Sequence, residues 1–144
     1  MSGVSEPVLR PATGADVDRL LAFWLEAGEN DARPSDSADA VRRQLERDPD
    51  ALVVVELDGR ILGSVIAGWD GWRAHLYRLA VHPDARRRGL GRLLLDHVER
   101  RFAALGAARI DAMVLEGNDL GQSVWRAAGY APQDDWRRWV KALG

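Results

Sequence analysis

Residues 86–92 read Arg-Arg-Arg-Gly-Leu-Gly-Arg, and they follow a β-prone apolar run that breaks at His82-Pro83-Asp84. After the glycines, Leu90, Leu94, Val98, Phe102 and Leu105 recur at helical spacing. A strand, a glycine-bearing turn and a helix N-terminus together make an anion-binding device. The first amides of a helix have no partner within it, and the helix dipole places partial positive charge there. Glycines at 89 and 91 let the backbone approach a phosphate with no Cβ in the way.

Two phosphate motifs are excluded by spacing. A dinucleotide fingerprint needs a third glycine where Leu94 stands, and a P-loop needs Gly-Lys-Ser/Thr, whereas the chain's one lysine is Lys141. A histidine, a tyrosine and a carboxylate form the second group of interest: His75, Tyr77 and Asp70. Strict alternation on a strand over Ala74–Val81 would put His75, Tyr77, Leu79 and Val81 on one face.

The chain has 144 residues, 47% hydrophobic and 29% charged, which suits one globular domain spanning 1–144. A formal net charge of −2 argues against a nucleic-acid partner despite the arginine run. No run approaches the roughly 18 apolar residues of a membrane span, so no membrane partner and a cytoplasmic location are expected. The absence of cysteine excludes disulfides, thiolate metal sites and a covalent cysteine intermediate, and no metal site is expected.

The elements that must position these groups follow from pattern. Residues 7–10 form a short strand, 16–27 a helix, and 28–37 a polar loop. Ser37 or Asp39 caps a second helix to about Arg47. Residues 51–57 and 60–68 are strands joined across Asp58-Gly59, a hairpin signal. Residues 69–73 turn into the strand at Ala74–Val81. After the long helix come a strand at 109–115, a helix from Asn118 or Asp119 to about Ala128, and a last strand near 136–140. The order is β-α-α-β-β-β-α-β-α-β, an α/β (α+β) fold.

Arg86-x-x-Gly89-x-Gly91 after Val-His-Pro resembles the pyrophosphate loop of the GCN5-related N-acetyltransferases, the GNAT family. The element order resembles that fold as well, a mixed central sheet flanked by about four helices. A second segment matches too: Asn118, Gly121, Val124-Trp125 and Gly129-Tyr130. The run GWDGWRAHLYRLAVHP is similar to that of the YpeA-type bacterial branch.

The resemblance implies acetyl-CoA as cosubstrate and acetyl transfer to a primary amine by direct attack in a ternary complex. Backbone groups at Leu79, Ala80 and Val81 would face the pantetheine arm and polarise the thioester carbonyl. Arg86, Arg87, Arg88, Gly89, Leu90, Gly91 and Arg92 would hold the phosphates. Asn118 would reach pantetheine or simply cap its helix.

His75 stands where some members carry a glutamate base, with Tyr77, Asp70 and Glu56 as rivals. His82 and His97 read as structural. Trp125 replaces a tyrosine that often protonates the leaving thiolate, so water or Tyr130 is left for that role, and core packing suits the indole. The acceptor pocket is expected between 28–37 and 69–73. Trp24, Glu29 and Asp70 would receive a small cationic amine there, with Glu26, Asp31, Trp69 and Trp72 nearby. A protein N-terminus or lysine is the alternative acceptor, and an acyl-CoA sensor with little catalysis is the alternative of another class. Homodimerisation is a common habit of the family.

Overall fold

The computed structural model describes residues 6–27, 36–114 and 119–143. Among these residues five strands form one sheet in the order β1-β2-β3-β4-β5: Val8–Pro11, Leu52–Leu57, Arg60–Trp69, Ala74–Val81 and Ile110–Ala112. The first four pair antiparallel and β5 runs parallel to β4. Among the described residues four α-helices flank the sheet: α1 Val17–Ala27, α2 Ala38–Arg47, α3 Leu90–Leu105 and α4 Asp119–Ala127. This is the α/β architecture that the hydrophobic pattern predicts.

Local chemistry explains most boundaries. Ser37 accepts the Ala40 amide at 3.1 Å and so caps α2, as expected of a serine before a helix. Asp58 and Gly59 take φ of 51° and 77°, the double left-handed turn that matches the twist of two antiparallel strands. At Gly63 a Cβ would sit 2.6 Å from a Val55 methyl and 3.1 Å from Leu94, so only glycine lets α3 approach the sheet here.

Alternation along β2 splits the core in two. Val53 and Val55 join Val65, Ala67, Ala74 and Leu76 under Leu94, Leu95, Val98 and Phe102 of α3. Leu52 and Val54 face Val17, Leu20, Phe23 and Trp24 of α1 and Val41 of α2. Both sheet faces are therefore covered, which is why residues 52–55 are apolar without interruption.

Two expectations are corrected. The strand at 109–115 is paired only over Ile110–Ala112, and no strand forms at 136–140 among the described residues. Trp136, Trp139 and Val140 are 69%, 94% and 81% exposed. The order Trp-Arg-Arg-Trp-Val does not alternate, so no single face of it could be buried on a sheet edge.

One buried charge cluster ties the first strand to α1. Asp16 is 1% exposed and accepts from Arg10 at 2.7 and 2.9 Å, from the Thr13 amide at 2.8 Å, and from Arg19. Arg10, chiefly, holds its carboxyl well below the usual carboxylate range against the opposing effect of burial. A depressed folded pKa stabilises the fold above the unfolded value near pH 4 and loses that contribution as pH falls through the folded value. Asp16→Asn should therefore cost about 3 kcal/mol in urea denaturation at pH 7. The gap from wild type should narrow below about pH 4.

Candidate functional site

The register of β4 sets the geometry. On one side it pairs with β3 along its length, but Ile66↔Tyr77 is followed by Ser64↔Ala80, so β4 carries an extra residue there. Arg78 occupies this bulge with φ 51°. On the other side, pairing with β5 covers only Ala74↔Ile110, His75↔Asp111 and Leu76↔Ala112. Beyond Leu76 the two parallel strands have no further paired residues among those described.

The bulge corrects the single face expected for residues 75, 77, 79 and 81. Leu79 and Val81 pack on the α3 side with Ala74 and Leu76, while Ala80 joins the α1 cluster. His75 and Tyr77 alternate with Ala74 and Leu76 and so face the α1 side, their rings 6.0 Å apart. The His82 amide donates to the Leu62 carbonyl at 2.8 Å, toward β3. Alternation then turns the backbone groups of Leu79 and Val81 the other way, to the side that β5 has left.

At the end of β4 the chain makes a helical turn at Pro83–Ala85 and enters α3 through Arg87 at φ 67° and Gly89 at φ 74°. A Cβ on Gly89 would meet nothing within 4 Å, so the space above the helix N-terminus is open. A Cβ on Gly91 would lie 3.3 Å from Val124 and 3.8 Å from Val81, so the first turn of α3 is wedged between β4 and α4. Arg86, Arg87 and Arg88 are exposed, and Leu90 is buried in the core. Arg88 lines a cleft with Asp58, Arg60 and Asp84 on the hairpin side. Arg92 is committed elsewhere: it donates to Asp96 at 3.0 Å and to the Ala127 carbonyl at 2.8 Å, capping the end of α4.

His82 is the pivot between strand and loop. It is 8% exposed, accepts the Asp84 amide on Nδ1 at 3.1 Å, and holds Glu26 on α1 through Nε2 at 2.6 Å. With Nδ1 accepting, the bond to Glu26 is one that Nε2–H donates.

On the α1 side, Asp70 accepts the Trp72 and Arg73 amides at 2.8 and 2.6 Å. These amides, Arg73 first, hold its carboxyl below the usual range, with the Coulombic pull of His75 a smaller cause. Tyr77 is 46% exposed, and partial burial, then the Asp70 charge, raises its hydroxyl. Trp72 is 84% exposed beside Asp70. Trp24 is corrected: at 3% exposure it has no face for a cation, and its indole donates to Ser64 at 2.9 Å. Glu56 is engaged by Arg10 and Arg19 and not presented to the His75 face as a base. Glu29, Asp31 and Asn118 lie outside the described residues.

Trp125 is a core residue, 9% exposed, with Tyr130 edge-on at 5.0 Å. The Tyr130 hydroxyl donates to Glu99 at 2.9 Å, and burial followed by that carboxylate pushes its pKa far up. Ser64 and Arg78 escaped the sequence reading, and Glu26, expected near the acceptor pocket, is bonded to His82. The one signal for Ser64 was a lone hydroxyl in an apolar strand, and Arg78 offered none.

Among the described residues no group of three or more His, Asp or Glu side chains could hold a metal ion. Nor is any helix of the described residues long and apolar enough to cross a membrane.

Residues 17–130 match the acetyltransferase (GNAT) family model. The chain is 39% identical over 120 residues to an acetyltransferase of Pectobacterium atrosepticum, covering 83% of this chain and 84% of the other. Among solved structures it is similar to the diaminobutyrate acetyltransferase EctA from Paenibacillus lautus in complex with L-2,4-diaminobutyric acid and coenzyme A. The TM-score is 0.76 at 19% identity, over 87% of this chain and 75% of the other. It is also similar to the aminoglycoside N-acetyltransferase AAC(6')-Iy in complex with CoA, with TM-score 0.75, 18% identity and 99% of each chain covered.

The His82 geometry is open to test. A long-range ¹⁵N–¹H spectrum at neutral pH should show a protonated Nε2 and a bare Nδ1. Two protonated nitrogens would mean that the Asp84 amide has lost its acceptor.

Proposed function

The chain belongs to the GNAT acetyltransferase family, and we propose that it moves an acetyl group from acetyl-CoA to a primary amine on a small cationic molecule. The observation that carries this reading is the divergence of β5 from β4 after Leu76, where Leu79 and Val81 turn their backbone toward the opening. The open helix N-terminus at Gly89 lies at the end of that same strand.

Bound there, acetyl-CoA supplies an acyl group on a thiolate leaving group. The free amides at the start of α3 and in the turn at 86–89 hold the diphosphate, with Arg86 adding charge-assisted bonds. Backbone groups of Leu79 and Val81 hold the pantetheine arm, and an N–H at Leu79 polarises the thioester carbonyl. The attacking amine must be the free base, whereas an alkylammonium has a pKa near 10.4. His75, directly or through water, takes that proton.

The negative charge of Asp70 and the exposed indole of Trp72 favour a cation at the mouth of this face. EctA, solved with a diamino acid and coenzyme A, supports an acceptor of that class. Tyr130 is spent on Glu99, which supports transfer with no side-chain acid for the thiolate. The chain has no cysteine, so direct attack needs no acyl-cysteine intermediate.

Release of free thiol from acetyl-CoA across polyamines, aminoglycosides, amino acids and short peptides tests the reading against no protein thiol background. Turnover with small cationic amines is the expected result, and preference for neutral or anionic amines would overturn the acceptor class. His75→Ala should lower kcat by about a hundredfold at pH 7, with acetyl-CoA affinity kept. The deficit should shrink as pH rises toward the acceptor's own pKa, and an unchanged rate would remove His75 from the role. Gly89→Glu puts a side chain at φ 74° and a negative charge over the loop, so calorimetry should show loss of CoA binding.

A further inference from the structure

Ser64 is a fully buried hydroxyl in the middle of an apolar strand, at 0% exposure. It accepts the Trp24 indole N–H at 2.9 Å and donates to the Arg78 carbonyl at 2.9 Å. That carbonyl belongs to the residue in the β4 bulge, a non-glycine at φ 51°, a conformation that L-residues rarely adopt. The next residue is Leu79.

We infer that Ser64, oriented by Trp24, is a positioning residue that holds the Arg78 peptide in its left-handed turn and so aims the Leu79 amide at the acyl carbonyl. The inference rests on the acetyl-CoA reading above. A peptide's carbonyl and the following amide belong to one rigid plane, so fixing the Arg78 oxygen fixes the Leu79 N–H. The Ser64 hydroxyl is fully buried and so acts without touching either substrate, and in such surroundings a polar bond is strong and an unmade one is expensive. The Arg78 guanidinium grips Asp36 at 2.8–2.9 Å and steadies the same residue from the α2 side. The Ser64 contact differs in acting on the peptide itself.

Misaiming a carbonyl-polarising donor lowers the rate more than it lowers binding of the coenzyme, whose other contacts remain. Ser64→Ala should reduce kcat by about tenfold to a hundredfold. Acetyl-CoA KM and CoA affinity should stay within about twofold, a split that general destabilisation of the cleft would not produce. A second readout needs no turnover. In wild type the Leu79 amide resonance should differ between the CoA and acetyl-CoA complexes, and in Ser64→Ala that difference should shrink.

If Ser64→Ala does not fold, Trp24→Phe, which removes the indole donor to Ser64 while keeping an aromatic ring in the core, carries both measurements. A fall in kcat with CoA affinity kept supports the inference. Unchanged kcat, CoA affinity lost in step with kcat, or an unaltered Leu79 response overturns it. Absence of turnover in wild type would instead defeat the acetyltransferase reading, with the Leu79 response still deciding on Ser64.

Discussion

The structure turns on one strand with two incompatible neighbours. β4 is hydrogen-bonded to β3 from Ala74 to Val81, yet to β5 only as far as Leu76. A parallel pair that separates midway leaves backbone groups facing a gap, and buried groups of that kind need partners. The extra residue at Arg78 resolves a second conflict. Without it, Leu79 and Val81 would fall on the face of His75 and Tyr77, and the α3 core would lose two apolar contributors. With it, Ala74, Leu76, Leu79 and Val81 form one continuous apolar row while His75 and Tyr77 remain on the α1 side. The same bulge thus keeps the core intact and separates the polar side chains from the backbone groups of Leu79 and Val81 on the unpaired side.

Three polar links run from this strand to the helices on the α1 side. Trp24 reaches the bulge through Ser64, Glu26 reaches the strand's end through His82, and Asp36 reaches Arg78 directly. Trp24 and Glu26 lie in the last two turns of α1, and Asp36 lies just before α2. The end of α1 and the approach to α2 are therefore both tied to β4. Packing alone would let the helices slide on the sheet, since apolar contacts are non-directional, whereas hydrogen bonds fix a relative position.

How far this could be read from the residues depends on whether a feature is local. The Asp58-Gly59 hairpin, the Ser37 cap and the glycine entry to α3 are each specified by residues adjacent in sequence, and all were legible. The bulge was not, because arginine is no signal for a left-handed backbone. Its cause is the register that β3 imposes on β4 from residues 60–69. The same holds for Trp24. Helical spacing places it correctly on the apolar stripe of α1, but whether that stripe ends in a pocket or a core is decided by the strand it meets. His75 and Asp70 lie within Coulombic reach of each other because only one turn separates them.

Charge is divided along β4 in a chain whose formal net charge is only −2. At its far end Arg86, Arg87 and Arg88 are exposed around a helix N-terminus, and at its near end Asp70 sits by an exposed indole. Arg92, the arginine best placed by sequence to extend the positive loop, instead closes the C-terminus of α4 on Ala127. On the proposed acetyl-CoA reading, anion recognition at this loop falls mainly to backbone amides, whose direction is set by Arg87 and Gly89 in left-handed conformations. Amides cannot be released by rotation of a side chain, and their dipoles need no reorganisation when a phosphate arrives. A strand that ends in donors of fixed direction and begins beside a carboxylate has opposite electrostatic character at its two ends. The bulge lies between them.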